Sequence, residues 1–529
     1  MKRRQFFKHT LPAAVTLPAM INGFSVKAHT AASPLVRALM SATTETDKVL
    51  VLVRLDGGND GLNMVIPVEY YSGYYNARKN IAIPQNKILA LNGVSKTGLH
   101  PSLTGLQTLY NEGKLAIVHS VGYPSPNFSH FRATDIWMTA SDSEQIIPTG
   151  WIGRYLETEF PGYPEGYPTT QMPDPLAIQI GAIPTPAFQG AGYNMGINIT
   201  NPTSFYDFLN GVEDPVPDTP WGKELKYIRT VARQTELYST AIKAAAEKVT
   251  QQGSYPANND LAQQLRIVAR LVKGGLKTRV YMVSTYGFDT HSAQVNSLDT
   301  TTGTHAQLLR KLSDAIKSFM DDLKNLGVDD RVIGFTFSEF GRRIKSNSSM
   351  GTDHGAAAPV FVFGKNVRPG IVGANPTIPN NSSVNDNIPF QYDFRSIYAS
   401  ILKQWFCVDA ANLEKILLKN FQEIHLASNS ACASTGIEDV LDTNGKDLII
   451  NYPNPFVERT RITFRTKGGH TLVHVIDALG RVVKTLTDKV YPPGTYNVDF
   501  DSGGLPTGLY YARLQNGSIQ QVRPMLKTR

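Results

Sequence analysis

Through the middle of the chain, unbroken apolar runs alternate with segments whose apolar residues recur at helical spacing. Lys48–Leu55 (KVLVLVRL) is such a run, ending at Asp56, and has the texture of a strand covered on both faces. Leu115–Ser120 (LAIVHS), Thr278–Ser284 (TRVYMVS), Arg331–Phe337 (RVIGFTF) and Val360–Phe363 predict further strands. Trp221–Thr250, Asp260–Lys273 and Thr304–Leu326 carry the periodicity of amphipathic helices. Strands alternating with helices predict a largely parallel sheet covered on both faces, a doubly wound α/β body. Phe160–Pro220 is rich in Pro, Gly and Tyr, has weak periodicity, and reads as an insertion or lid.

The texture changes towards the carboxyl end. After Ser428 the run SNSACASTG reads as a linker. From Asp447 come short alternating segments (TRITFRT, HTLVHVIDALG, RVVKTLT, GTYNVDF, GLYYARL) separated by Pro, Gly and Asn turns. They predict an all-β sandwich of about 80 residues. The expected organisation is an export signal over 1–28, an α/β body over 45–425, a linker over 426–446 and a small all-β sandwich over 447–529.

The amino end supports the first of these. Met1–Lys8 reads MKRRQFFK and is followed by a mildly apolar stretch and a small-residue processing site at Val26-Lys27-Ala28. That is a basic n-region with a weak h-region, and no integral membrane span is expected from it. Arg3-Arg4-Gln5-Phe6-Phe7-Lys8 resembles a twin-arginine signal; the alternative is the basic start of an ordinary secretory signal. Either export machinery would act through residues 1–28, and the mature protein would leave the cytoplasm.

Composition narrows the class. With 41% hydrophobic and 18% charged residues in 529, the chain is a soluble globular protein, not a disordered, collagenous or multi-span membrane one. Two cysteines, Cys407 and Cys432, are too few for a disulfide framework or a Cys-rich zinc site. The net charge of +8 suggests a nucleic-acid partner until it is divided along the chain. Residues 1–28 carry five basic groups and no acidic ones, and residues 446–529 carry twelve basic against six acidic. The remainder holds 35 basic and 38 acidic residues, so no nucleic acid is expected on the body.

Candidate chemistry lies where ligands bind in open α/β sheets, beyond the carboxyl ends of the strands. Three predicted strands end in polar clusters: LDGGNDGLN around Asp56, YGFDTHS at Tyr286–Ser292 and FSEFGRR at Phe337–Arg343. Gly351-Thr352-Asp353-His354-Gly355 follows just before another strand. Carboxylates and imidazoles converging from distant segments are the raw material of a metal site, and mixed oxygen and nitrogen donors suit zinc or manganese better than magnesium or calcium. His100 and His119, beside apolar runs, read as core histidines. Asn59 and Asp60 either orient Asp56 or form a tight turn. Arg342 and Arg343 are candidates to pair with an anionic oxygen.

Two resemblances add to this reading. Asn451-Tyr452-Pro453-Asn454-Pro455-Phe456, Val475–Arg481 and Leu505-Pro506-Thr507-Gly508-Leu509-Tyr510 resemble the type IX secretion sorting domain. That implies an encounter of residues 447–529 with the type IX machinery and passage through the periplasm of a Gram-negative cell to its surface or beyond, usually with removal of the domain. The alternative is a small carbohydrate-binding sandwich. RLDGGNDGLN, SHFRATDIW, GWIGRYL, FDTHSAQ, FSEFGRR and GTDHG together resemble the DUF1501 family over roughly residues 45–425. That family looks related to the alkaline phosphatase superfamily, which implies an alkaline-phosphatase-like α/β/α sandwich and a divalent-metal site acting on anionic esters.

Carried over residue by residue, the resemblance implies Asp56 as the first-strand metal ligand and Asp353 with His354 as the consecutive Asp-His pair. Asp289 and His291 fall where an intermediate Asp and His belong, but two apart rather than four. A final histidine is missing from its place, since only His425 follows within the body. Glu339, Asn59 and His130 are the additional candidates at the site, and Glu339, His130 or His305 is the candidate to complete the second metal position. Ser129, directly before the helical pattern FRATDIWM, reads as a nucleophile or as a plain helix N-cap, with Thr134 as a more distant choice. Ser129-His130-Phe131-Arg132 lacks the proline of the formylglycine sulfatase signature. The expected function is metal-dependent hydrolysis of phosphate or sulfate esters by an exported protein. The alternative is a non-catalytic surface protein that binds glycans or partners on a degenerate site.

Overall fold

The computed structural model describes residues 47–181, 184–200 and 237–428, together with Cys432, most of 449–528 and a short hairpin of Ala19–Ile21 with Phe24–Val26. The proposed export signal and linker fall almost wholly outside these residues, as does 221–236 of the expected helix; 237–247 is helical. The chain divides into two compact units, Glu45–Cys432 and a second comprising Met1–Thr44 with Ala433–Arg529.

The first unit is built on a nine-stranded sheet. Its strands are β1 (Val49–Leu55), β2 (Leu115–Gly122), β3 (Ala177–Ile180), β4 (Gly196–Ile199), β5 (Val280–Thr285), β6 (Val332–Ser338), β7 (Ala358–Gly364), β8 (Gly370–Val372) and β9 (Tyr392–Asp393). They lie in the order β8-β2-β7-β6-β1-β5-β3-β4, with β9 also on β2. All pairings are parallel except those of β7, which runs antiparallel to both β6 and β2. The sheet is therefore mixed, and its one reversed strand is the predicted Val360–Phe363 segment.

Period-two alternation explains why the central strands read as unbroken apolar runs. Val49, Val51, Val53 and Leu55 of β1 face one core, and Leu50 and Leu52 face the other. The first core is closed by α1 (Thr104–Asn111), α4 (Asp260–Lys273) and α5 (Thr304–Asn325). The second is closed by α2 (His130–Thr139), α3 (Trp151–Glu159), α6 (Phe394–Gln404) and α7 (Ala410–Leu417). Helices on both faces make this the doubly wound α/β/α sandwich expected from the sequence.

The expected insertion over Phe160–Pro220 is corrected in part. Its described portion contributes β3 and β4 to the edge of the main sheet; at four residues each, these strands are too short for periodicity to reveal. Cys407, shortly after α6, is bonded to Cys432 across 25 residues of sequence. Closing such a loop stabilises the fold by roughly 3 kcal/mol on the chain-entropy model.

In the second unit, β10 (Ile449–Tyr452), β11 (Arg459–Thr466) and β14 (Gly494–Asp501) form one antiparallel sheet. β12 (Gly469–Asp477), β13 (Val482–Tyr491), β15 (Gly508–Asn516) and β16 (Ile519–Lys527) form another, ordered β13-β12-β15-β16. Ile449, Phe464, Val473, Val475, Phe500, Leu514 and Met525 share one apolar core. Two strands were not predicted, β10 and β16. Pro524 obscures β16, and its edge position explains how the strand tolerates a residue without an N–H.

Candidate metal centre

Five segments meet at the carboxyl edge of the main sheet. Asp56 directly follows β1, Glu339 directly follows β6, and Asp289 and His291 lie just beyond β5. His130 opens α2 beyond β2. Asp353 and His354 precede β7, and because β7 runs backwards its start lies at this same edge.

Arg342 stitches these segments together. It is 1% exposed, and its guanidinium donates to the carbonyls of Gly58 (2.6 Å), Gly57 (2.6 Å), Phe288 (3.0 Å) and Thr352 (2.7 Å) and to Asp289 Oδ1 (2.7 Å). The loops are pressed close. Gly57 has φ +113°, and a Cβ there would lie 2.5 Å from the backbone nitrogen of Asp289, so only glycine fits.

Three imidazoles surround the Asp289 carboxylate. Its Oδ2 is 3.4 Å from His130 Nε2, and its Oδ1 is 3.2 Å from both His291 Nε2 and His354 Nε2. In each ring the other nitrogen meets an oxygen: His354 Nδ1 the Phe128 carbonyl (2.8 Å), His130 Nδ1 Glu339 Oε2 (2.5 Å) and His291 Nδ1 Asp353 Oδ1 (3.2 Å). A carbonyl or carboxylate only accepts, so each neutral ring donates from Nδ1 and leaves its Nε2 unprotonated beside the Asp289 carboxylate, a set of acceptors that needs a proton or a cation among them. His291 Nε2 and His354 Nε2 then face each other at 2.8 Å. Two lone pairs at that distance repel unless a proton or a cation is shared between them.

The electrostatics agree with this arrangement. Burial raises the Asp289 carboxyl, but Arg342, His354 and His291 outweigh it and hold the group below the usual range. At Asp353 burial is likewise outweighed, by Asn347 and His291. Burial holds the His354 imidazole below its ordinary value despite its bonds to Phe128 and Asp289. Ligand-capable atoms of His130, Asp289 and His354 all lie within 4.8 Å of one another. Nitrogen donors anchored at their far side by oxygen acceptors are the usual setting of a metal-binding histidine; these residues fit a divalent cation.

Asp56 is differently engaged. Arg54 Nη2 lies 2.7 Å from Asp56 Oδ2, 2.9 Å from Glu339 Oε1 and 3.2 Å from Thr134 Oγ1. Burial raises the Asp56 carboxyl, Arg54 opposes this, and Glu339 adds to it. Glu339, 3% exposed, thus uses one oxygen for Arg54 and the other for His130.

Of the other residues singled out from sequence, Asn59 is turned away. Its buried amide meets Met64 Sδ and His305 Nε2, so its side chain serves the core rather than the cluster. Asp60 is buried against Arg78 at 2.8 Å. His100, His119 and His305 are buried as well, and His425 is exposed on a coil between the buried Ile424 and Leu426. Ser129 occupies the N-cap of α2, exposed, and makes no side-chain cap hydrogen bond. Arg343 stacks over the Phe128 ring at 5.2 Å. Sequence reasoning passed over Arg54, although a charge inside the buried run KVLVLVRL was itself a signal that a partner must await it.

Comparison with known proteins adds the family level. Residues 227–416 match the family described as "Protein of unknown function (DUF1501)", and residues 451–527 match the "Secretion system C-terminal sorting domain". No curated protein matches the chain. Among solved structures, the PsFucS1 sulfatase from Pseudoalteromonas sp. is 10% identical over 89% of this chain and 87% of its own, with a TM-score of 0.34. A protein in the alkaline phosphatase superfamily from Vibrio parahaemolyticus is 11% identical over 91% and 82%, with a TM-score of 0.29. With values this low, no residue's role passes from them to this chain. No helix among the described residues is long and apolar enough to cross a membrane. The sorting domain indicates export to the cell surface or the extracellular space. The chain carries a DUF1501 domain followed by a secretion system C-terminal sorting domain.

Proposed function

We propose that the body is a metal-dependent hydrolase of phosphate or sulfate esters, working at the cell surface or outside the cell. The carrying observation is the 2.8 Å contact between the Nε2 atoms of His291 and His354 beside the Asp289 carboxylate. His130, His291, His354 and Asp289 would hold the ion, and three nitrogens with one oxygen favour zinc or manganese over magnesium or calcium. A divalent ion there supplies Lewis acidity towards an ester oxygen. Asp353 and Glu339 keep His291 and His130 in the required tautomer. Ser129, with its hydroxyl not engaged in capping, would attack phosphorus or sulfur as the alcohol leaves with a proton; water would then release the acid and restore the serine. Export would begin through residues 1–28, by the twin-arginine or general route, and finish through the type IX machinery.

The non-catalytic alternative draws on one observation: Asp56, the first-strand carboxylate, is already paired with Arg54. The test is metal analysis of the purified protein, followed by release of phosphate or sulfate from aryl esters with zinc, manganese, magnesium and calcium supplied separately. A protein that holds no divalent ion, and takes up none on loading, is a binding protein instead.

A further inference from the structure

We propose that the centre holds a single divalent ion and that the Arg54 guanidinium fills the place of a second cation between Asp56 and Glu339. This rests on the metal-centre reading above and fixes how many ions the cluster takes.

The two carboxylates at the ends of β1 and β6 would by themselves make an attractive second cation site beside His130. They are not free. A single nitrogen, Arg54 Nη2, bridges Asp56 Oδ2 at 2.7 Å and Glu339 Oε1 at 2.9 Å, with Thr134 Oγ1 at 3.2 Å. Three contacts hold the guanidinium. Arg54 belongs to the central strand of the sheet; its side chain is 21% exposed, but its Nε is buried with no hydrogen-bond partner among the described residues. A divalent ion entering between the carboxylates would meet a fixed positive charge at contact distance, with the negative charge it needs already balanced.

The remaining Glu339 oxygen is also used, at 2.5 Å from His130 Nδ1. Arg54 therefore acts through a relay: it orients Glu339, and Glu339 orients His130 towards Asp289. Asp56 belongs to this supporting relay and not to the ligand set, which departs from the role expected of it from sequence.

The test counts ions. The full chain is loaded with zinc, passed through a desalting column, and analysed by mass spectrometry for zinc per chain, with calorimetric titration of the metal-free protein alongside. Wild type should hold one ion. Arg54→Met, which keeps the stem and removes the charge, should take up a second, while Arg54→Lys should stay at one. Two ions in wild type, or one ion in a folded Arg54→Met protein, overturns the proposal. Should Arg54→Met fail to fold, Asp56→Asn decides: zinc affinity that falls by no more than about 100-fold, the usual cost of losing a residue behind a metal ligand, supports a residue outside the ligand set. Loss of the ion in that variant overturns it. Wild type with no ion at all would instead remove the metal-centre reading beneath.

Discussion

Arg342 Nη2 lies 2.7 Å from Asp289 Oδ1 while the rest of its guanidinium is occupied by the carbonyls of Gly57, Gly58, Phe288 and Thr352. The sequence left it as a candidate for pairing with an anionic oxygen. The oxygen it meets belongs to the protein, and its burial leaves no donor for a substrate.

Arg342→Lys keeps the charge but loses the fork, so Asp289 should be held less firmly. Zinc affinity, measured by competition with a chelator, should fall by about 10–100-fold, the usual cost of losing a residue behind a metal ligand. An unchanged affinity would show that Asp289 is positioned without it.

Ser129→Ala should lower turnover of an aryl phosphate or sulfate by at least about 10²-fold, comparable to losing one transition-state contact. Asp353→Ala should also impair turnover severely, by freeing His291 Nδ1. If Ser129→Ala keeps wild-type turnover while His354→Ala abolishes it, Ser129 only starts the helix and water is the nucleophile.

Three histidines away from the cluster make stability depend on pH. Burial pushes His100 down to about 3 and His119 and His305 down to about 4, from an ordinary 6.5. The unfolded chain therefore binds more protons than the folded one once pH falls below about 6.5, and stability declines from there towards pH 4. The urea midpoint should be lower at pH 5 than at pH 7.5. His119, whose Nε2 is buried without a hydrogen-bond partner among the described residues, contributes to that slope, and His119→Leu should flatten it.

Asp60 and Arg78 are both at 0% side-chain exposure and 2.8 Å apart. Burial raises the Asp60 carboxyl, but Arg78 and Gln294 overcome it and the group stays below the usual range. Its stabilising contribution is present above the unfolded value and lost as pH falls through the folded one. Asp60→Asn strands a buried guanidinium and should destabilise the protein by about 3–5 kcal/mol in chemical denaturation. A change under about 1 kcal/mol would mean that water reaches Arg78.

The central strands and the long helices were legible because their periodicity is strong: Asp260–Lys273 has the predicted bounds, and β1, β2, β5, β6 and β7 fall within a few residues of theirs. The reversal of β7 was not legible, because a short apolar run carries no mark of direction. At the centre, the sequence could name Asp289 and His291 from their place after a strand and His354 from its place just before one, and the structure brings them together. It could not show that Glu339 reaches His130 or that Arg54 claims Asp56, since those partnerships join residues 209 and two positions apart through side-chain direction alone.

The Cys407–Cys432 bond closes at the last residue of the body unit. If the sorting domain is trimmed at any point beyond Cys432, the new carboxyl terminus remains leashed to the segment after α6. Leu426 and Ala427, which pack into the core just inside that leash, are then shielded from fraying, and an exopeptidase nibbling inward meets a covalent knot before it reaches them. In an oxidising medium the shed protein would keep its tail end shut; a reducing one would open the only cross-link its two cysteines can make.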